Sequence, residues 1–411
     1  MSDIIVGPSH VIRMEHLYKT KIVKPDGCVF SFIGGGGAPT WSRSIFTRLE
    51  SIQKEKDSIH LIIGDFRFGN SITQLGVDIS ETNVNHINVN GSLISEENDR
   101  LMASYFVRGL KAWREKHNEV NMIPWTLLMR RADNILKNNY IDDNGTYKHP
   151  FIDEFHIINQ FCNQSYLDCL DIPSDILNLL YIDSDLHPST LGYMFISRCV
   201  NKEQPCKAIY ESLGTLESTM KRLVKKLKIN KKILITGSSI AIDTFSKVLP
   251  FDSKFLEFAV THSSEHSQLS NEQRQAEYHI ISLDSVSATM GTSLASRIEG
   301  VIYFPWDYLG FKTISKRHKD LERLQPNDRE LKHYNNISYF NIYEENSLFD
   351  IGERLTPTIK GALFILSLAS EVNGNEKAKI IDESIDELFS SPSKQNDMKS
   401  KALTLLKRAF R

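Results

Sequence analysis

The sequence predicts an α/β protein of two domains, in which parallel strands alternate with helices. At roughly 150 residues per domain, a chain of 411 residues is long enough for two or three domains. Short apolar runs alternate with stretches of helical periodicity in the first half, and they do so again after residue 230. We therefore expect a three-layer αβα domain over residues 1–205. A second α/β, Rossmann-like domain that ends in helices is expected over residues 206–411.

Composition and charge limit the classes of protein to consider. Hydrophobic residues make up 41% of the chain and charged residues 24%, so neither wholesale disorder nor a fibrous chain is expected. The 49 Lys and Arg residues against 51 Asp and Glu give a net charge of -2, so no global field attracts nucleic acid. The five cysteines include no CxxC pair and no zinc-like spacing, which predicts reduced structural thiols and no metal site.

The chain shows no sign of a targeting or membrane-spanning segment. Its N-terminus lacks the basic and apolar regions of a signal peptide, and no apolar run approaches the roughly 20 residues that span a bilayer. The sequence thus predicts a cytoplasmic protein.

Nine apolar runs are expected to form strands. They are residues 4–7, 28–33, 60–64 and 121–128 in the first half, and 232–236, 255–261, 278–283, 300–304 and 337–343 in the second. Helical periodicity predicts a crossover helix over 95–116, a helix that starts at Pro188, a basic helix over 212–228 and helices over 358–372 and 377–389.

A basic amphipathic helix is expected at the C-terminus, over residues 398–410. Such a helix either rests on an anionic membrane, here the inner face, or packs on its own domain.

Ser9 is the first candidate catalytic residue. The first strand leads into Gly7-Pro8-Ser9-His10, which puts the serine at the carboxyl edge of a parallel sheet, where α/β proteins bind ligands. A helix that begins after Ser9 would direct free backbone N–H groups toward a developing oxyanion. Serine is also a favoured helix N-cap, so this position alone leaves both interpretations open.

Three further blocks follow in order along the chain. The second strand leads into the glycine run 34–37, which exposes N–H donors, and the third leads through 64–69 to Asn70, whose amide can donate to an oxyanion. Near the end of the first domain comes Asp183-Ser184-Asp185-Leu186-His187-Pro188, an acidic segment with a histidine just before a helix. The order along the chain is therefore Ser, Gly, Asn, acid and His.

In this order the blocks resemble those of the SGNH (GDSL-like) hydrolase superfamily, and the resemblance covers residues 1–205, about half of the chain. It implies a catalytic domain with Ser9 as nucleophile and His187 as general base. The implied oxyanion donors are the backbone of Ser9, Gly34 or Gly35, and Asn70.

The sequence departs from the family pattern in each block. Pro8 replaces the usual aspartate before the serine, Gly69 directly precedes Asn70, and Ser184 stands where the family has its acid. Asp185 is the favoured orienting acid and Asp183 the alternative. A Ser–His dyad helped by a backbone carbonyl also remains open.

The resemblance implies acyl transfer through an acyl-serine. With water as the second acceptor the enzyme is an esterase, and with a sugar hydroxyl it is a carbohydrate O-acyltransferase. We expect modification of a surface-glycan precursor, with acetyl-CoA as the acyl donor.

The second domain suggests a cofactor site or a helix cap. Gly237, Ser238 and Ser239 follow a strand and would offer helix N-terminal amides to a phosphate of CoA or a nucleotide. The turn lacks GxGxxG and the lysine of a P-loop, so a plain helix cap is the favoured interpretation.

Two other functions compete with acyl transfer. One is a glycosyltransferase of two α/β domains, with its nucleotide-sugar on hydroxyl-rich turns that include residues 284–293. The other is a non-catalytic interaction protein on an esterase-like scaffold, which predicts Ser9 and His187 well beyond hydrogen-bond reach.

Overall fold

The computed structural model of this chain describes thirteen segments. They are residues 2–20, 29–34, 43–54, 57–63, 107–117, 119–125, 158–182, 187–250, 255–260, 278–283, 301–303, 337–339 and 356–390. Each of the nine predicted strands is present in these segments, and every strand pair is parallel. The predicted α/β class with parallel sheets is therefore confirmed.

The first sheet contains four strands in the order β2-β1-β3-β4. They are β1 (Ser2–Gly7), β2 (Val29–Gly34), β3 (Ser58–Ile62) and β4 (Asn121–Ile123). In β1 the consecutive residues Ile4, Ile5 and Val6 are all at most 2% exposed. Successive side chains of a strand point to opposite faces, so both faces of the sheet are covered at β1.

The helices of the first half include the predicted one that begins at Ser9 and part of the predicted crossover helix, whose residues 95–106 lie outside the described residues. These helices are α1 (Ser9–Lys19), α2 (Arg43–Ile52), a helical stretch over 107–116, α3 (Ser174–Asn178) and α4 (Thr190–Val200). The helix predicted to start at Pro188 starts instead at Thr190. Its cap is Ser189, whose Oγ accepts a hydrogen bond from the Gly192 N–H, while Pro188 pairs with Tyr181 in an antiparallel bridge.

The second sheet contains five strands in the order β6-β5-β7-β8-β9. They are β5 (Lys232–Gly237), β6 (Leu256–Val260), β7 (Tyr278–Ser282), β8 (Val301–Tyr303) and β9 (Ile337–Tyr339). Its helices are α6 (Ser239–Val248), α7 (Ile359–Ser367) and α8 (Gly374–Phe389). Both sheets place their first strand between their second and third, which is the doubly wound arrangement.

A long helix, α5 (Pro205–Lys226), stands between the two halves of the sequence. It begins seven residues before the predicted position 212, because Pro205 suits the first turn and the Gln204 Oε1 accepts from the Lys207 N–H at 2.6 Å. The described chain forms two compact units that divide after Leu213, whereas the predicted boundary after residue 205 falls at the start of α5. Residues 16–20, which are the end of α1 and the residue after it, belong to the second unit.

The basic C-terminal half of α5 pairs with an acidic helix. Arg222 contacts Glu387 of α8, and the Lys226 Nζ lies 2.8 Å from a Glu383 carboxylate oxygen. These positive charges are therefore matched within the second unit.

A buried polar network links three strands of the first sheet. His60 Nε2 lies 2.9 Å from the Asp3 carboxylate, and the Asn121 amide nitrogen lies 3.1 Å from His60 Nδ1 and 3.2 Å from the Cys199 carbonyl. The carbonyl only accepts, so the amide nitrogen must face it and donate its second N–H to Nδ1. His60 therefore carries its proton on Nε2 and donates to Asp3, which satisfies side chains that are 1% (His60) and 3% (Asn121) exposed.

Asn121→Ala should lower the free energy of unfolding by about 1 to 3 kcal/mol, because it leaves His60 Nδ1 and the Cys199 carbonyl buried without the amide. Urea unfolding followed by circular dichroism measures the loss. Asn163→Ala is the matched control, since within the described residues this exposed amide accepts only from Arg114, and its effect should stay within about 0.5 kcal/mol. Equal losses in the two variants would contradict the network.

Candidate active site

Ser9 lies at the switch point of the first sheet. β1 ends at Gly7 between β2 and β3, and α1 begins at Ser9, with the Val11 N–H donating to the Pro8 carbonyl at 3.0 Å. The crevice at such a point, where chain connections leave in opposite directions, is where doubly wound proteins bind their ligands. Ser9 is half-buried there.

Two glycines, Gly7 and Gly34, allow the first turn of α1 to pack directly on the sheet. A Cβ on Gly7 would lie 2.7 Å from the Val11 Cγ2, and a Cβ on Gly34 would lie 2.4 Å from the Ile12 Cγ1 and 2.9 Å from its backbone nitrogen. Larger residues at either position would push the first turn of α1 away. Close packing of α1 on the sheet thus explains why position 34 is a glycine. The role of Gly34 as an oxyanion donor stays a prediction.

A short hairpin-like pairing positions His187. The Ile182 N–H donates to the His187 carbonyl at 2.9 Å, and the Ser189 N–H donates to the Leu180 carbonyl at 2.8 Å. The Ser189 Oγ also donates to the Leu179 carbonyl at 2.6 Å while it caps α4. These bonds fix the backbone on both sides of the imidazole.

The close packing of Gly192 holds this pairing against the rest of the unit. A Cβ there would lie 2.3 Å from the Leu180 carbonyl oxygen and 2.7 Å from the Trp125 ring. Trp125 is fully buried, and the Tyr181 hydroxyl donates to its carbonyl at 2.7 Å. Helix α4 therefore sits directly on the segment that carries His187.

Ser9 and His187 meet across 178 positions of sequence. The Ser9 Oγ lies 3.5 Å from the His187 Nε2, at the long end of hydrogen bonding. His187 is 7% exposed, and the His10 ring packs against it with centroids 5.3 Å apart. Catalytic hydrogen bonds are often long without substrate and shorten in the complex. A hydroxyl and an imidazole in this arrangement can exchange a proton.

The remaining predicted members of the site lie outside the described residues. They are Gly35, Asn70 and the acidic pair Asp183 and Asp185. The identity of the orienting acid and two of the oxyanion donors therefore stay predictions.

Sequence reasoning missed the positioning roles of Ser189 and Gly192, and it missed His10. A signal for Ser189 was present, because a serine directly before an apolar helical run is a favoured N-cap. The contact between His10 and His187 had no local signal, since it joins distant segments.

In the predicted cofactor turn of the second unit, one of the three residues, Ser238, caps a helix. Gly237 ends β5, and the Ser238 Oγ accepts from the Ala241 N–H at 3.3 Å. Ser239 is the exposed first residue of α6. The capping interpretation thus holds for Ser238, whereas phosphate binding by this turn stays a prediction. Residues 284–293 and the C-terminal segment 398–410 lie outside the described residues.

The described segments contain no group of three or more His, Cys, Asp or Glu side chains that could hold a metal ion. In the same segments, no helix has the length and apolar character needed to cross a membrane.

No protein-family model, curated protein or solved structure matches this chain. Any assignment of function therefore depends on the geometry of the chain's own residues.

Gly192→Ala should destabilise the protein by about 1 to 3 kcal/mol, because the added methyl group meets the Leu180 carbonyl and the Trp125 ring. It should also slow any reaction of Ser9, since the segment carrying His187 must move. Urea unfolding and labelling of Ser9 measure the two effects. Gly214→Ala is the control, because a Cβ there meets none of the described residues within 4 Å and it lies in α5, where alanine should stabilise by up to about 1 kcal/mol. Similar unfolding free energies and Ser9 labelling rates in the two variants would contradict the packing role of Gly192.

The thiols of Cys162, Cys169 and Cys199 should resist Ellman's reagent at pH 8. Burial raises the pKa of Cys162 and that of Cys169 to about 12, and it raises the pKa of the fully buried Cys199 thiol well above its ordinary value. The smaller thiolate fraction alone should slow the reaction on the order of 10³-fold relative to an ordinary thiol. Peptide mapping after timed exposure measures this, and unfolding in urea should restore fast labelling. Rapid native labelling of all three would contradict their burial.

Proposed function

We propose that this protein is a serine-dependent carbohydrate esterase or O-acyltransferase of the SGNH type, which acts through an acyl-serine at Ser9. The observation that carries the proposal is the 3.5 Å approach of the Ser9 Oγ to the His187 Nε2 at the carboxyl edge of the first sheet. A helix N-cap needs no imidazole beside it, so the pairing favours the catalytic interpretation over the capping one.

The chemistry follows from the positions of these two groups. His187 Nε2 accepts the Ser9 proton while Oγ attacks the carbonyl carbon of the ester, and the proton then passes to the leaving group. Helix α1 begins two residues after β1 ends, and backbone N–H groups at its start are the proposed donors to the anionic oxygen of the tetrahedral intermediate. Gly34 or Gly35 and Asn70 are the further donors proposed, with Asp185 or Asp183 orienting the imidazole.

The second acceptor decides between the two reactions. Water would release the acyl group and make the protein an esterase, whereas a sugar hydroxyl would make it an O-acyltransferase. We favour transfer to a surface-glycan precursor from acetyl-CoA, with the turn at Gly237, Ser238 and Ser239 as a proposed site for the CoA phosphates. Release of free CoA that depends on an added glycan would support transfer, and release in water alone would support hydrolysis.

The structure bears differently on the two alternative functions, the interaction protein and the glycosyltransferase. The interaction-protein hypothesis expects Ser9 and His187 far beyond hydrogen-bond reach, and their 3.5 Å separation does not meet that expectation. Two open parallel sheets of the same doubly wound order remain compatible with a nucleotide-sugar glycosyltransferase. A thermal-shift comparison separates the candidates, because a ligand that binds only the folded state raises the Tm. Stabilisation by a sugar nucleotide but not by CoA would favour the glycosyltransferase.

Ser9→Ala should abolish labelling by a serine-directed fluorophosphonate and lower aryl acetate hydrolysis about 10³-fold or more, because it removes the nucleophile. His187→Ala should have a comparable effect. The double variant should be no slower than either single variant, since the two side chains act as one unit. Rates with an activated aryl acetate measure all three.

Matched controls in this experiment are Ser51→Ala and His16→Gln. Ser51 is an exposed serine of α2 that donates to the Arg48 carbonyl, and His16 lies two turns after Ser9 on α1. Both should keep normal rates and labelling. Hydrolysis that survives Ser9→Ala in a folded protein would remove Ser9 from the mechanism.

A further inference from the structure

The second unit repeats the construction of the first. Each sheet has its first strand between the second and third, and each first strand ends at a glycine, Gly7 or Gly237. In each unit the next helix begins two residues later with a serine, Ser9 in α1 and Ser239 in α6. Ser239 thus holds the position in the second unit that Ser9 holds in the first.

A second correspondence appears around His187. Residues 187–196 read His-Pro-Ser-Thr-Leu-Gly-Tyr-Met-Phe-Ile, and residues 356–365 read Thr-Pro-Thr-Ile-Lys-Gly-Ala-Leu-Phe-Ile. The proline, the glycine, the phenylalanine and the isoleucine are identical, and the cap is a serine in one segment and a threonine in the other. In this alignment Thr356 stands where the first unit has His187.

The local structure of the two segments agrees with their alignment. Pro188 and Pro357 each lie in an isolated bridge, and the Ser189 and Thr358 hydroxyls each accept from the N–H of the glycine three residues later, both at 3.1 Å. Helices α4 and α7 therefore begin at equivalent residues, Thr190 and Ile359.

The alignment of the two segments continues, without insertion or deletion, to the start of the next helix. Helix α5 begins at Pro205 and α8 at Gly374, so both helix pairs are offset by the same 169 residues (190 to 359 and 205 to 374). The residue before each helix, Gln204 or Asn373, offers a side-chain amide oxygen to the N–H three positions later. Chance similarity of two caps does not explain an equal spacing, an equal strand order and an equal serine position.

We infer that the second unit is a degenerate copy of the first and that it carries a latent counterpart of the Ser9 site, with Ser239 at the position of the nucleophile and Thr356 at the position of the base. This inference rests on the proposed function of Ser9 and His187. Helices α6 and α7, which follow these two residues, pack against each other. A threonine hydroxyl does not take up a proton from serine near neutral pH, so Thr356 does not activate Ser239 and no acyl-serine forms there.

One substitution should make the latent site reactive. In a Ser9→Ala background, Thr356→His puts an imidazole at the position that the alignment matches to His187, and Ser239 is exposed and accessible to a reagent. With a fluorophosphonate, the bond from Ser239 Oγ to phosphorus forms, the P–F bond breaks, the imidazole takes the serine proton and fluoride leaves. Labelling at Ser239, located by peptide mass, should be at least about tenfold faster than in Ser9→Ala alone.

The controls for this experiment separate the site from general reactivity. Adding Ser239→Ala to the Ser9→Ala/Thr356→His protein should remove the label, and thermal melting should show that each variant is folded. A folded Ser9→Ala/Thr356→His protein in which Ser239 labels no faster than in the parent would overturn the inference.

A second measurement does not require that histidine fit at Thr356, which is only 7% exposed. Ser239→Cys/Thr356→Cys is treated with dibromobimane, which becomes fluorescent when it bridges two neighbouring thiols, and Ser9→Cys/His187→Cys is the reference pair. Both pairs should be bridged, as shown by cross-linked peptides. Absence of the bridge between positions 239 and 356 overturns the inference, whatever the reference pair gives.

These outcomes are distinguishable from failure of the proposed function. If the unsubstituted protein shows no label at Ser9, the acyl-serine proposal fails, whereas the bridge between positions 239 and 356 still reports whether the second unit repeats the geometry. If Ser9 is labelled and Ser239 is neither labelled nor bridged, only the inference about the second unit fails.

Discussion

The candidate site depends on the backbone pairing that returns the chain from Leu180 and Ile182 to His187 and Ser189. The histidine is far from Ser9 in sequence, so the geometry of one short segment decides whether the two groups meet. Two backbone hydrogen bonds, the Ser189 cap and the close contact at Gly192 act on this segment together. Loss of any one would allow the imidazole to move relative to the start of α1.

The other half of the site depends on close packing of α1 on the sheet. Because Gly7 and Gly34 have no Cβ, Val11 and Ile12 lie close to the strand ends. The direction of α1 that results sets the position of Ser9. The buried network of Asp3, His60 and Asn121 links β1, β3 and β4 lower in the same sheet. The position of Ser9 is thus a consequence of how the centre of the sheet is packed.

The two units share a construction but differ in single side chains at the edge of the sheet. Strand order, the glycine at the first strand end and the caps of paired helices are alike, and these are the features that backbone packing requires. The residue just before the paired proline differs, with His187 in the first unit and Thr356 in the second. A scaffold therefore does not determine reactivity, which depends on single side chains at its edge.

The sequence by itself determined the α/β class and the location of the strands. Apolar runs such as 232–236 and 278–283 became β5 and β7 almost unchanged, because strands covered on both faces leave a continuous hydrophobic signal. Helix starts were less well predicted: α4 and α5 are set by the caps Ser189 and Gln204, whose hydrogen bonds depend on the local backbone. Only the tertiary structure decided which strand neighbours which, that His187 reaches Ser9, and that Gly34 is needed for packing. Those contacts join residues far apart in the chain, and a local pattern carries no information about which distant segment will fill the space beside it.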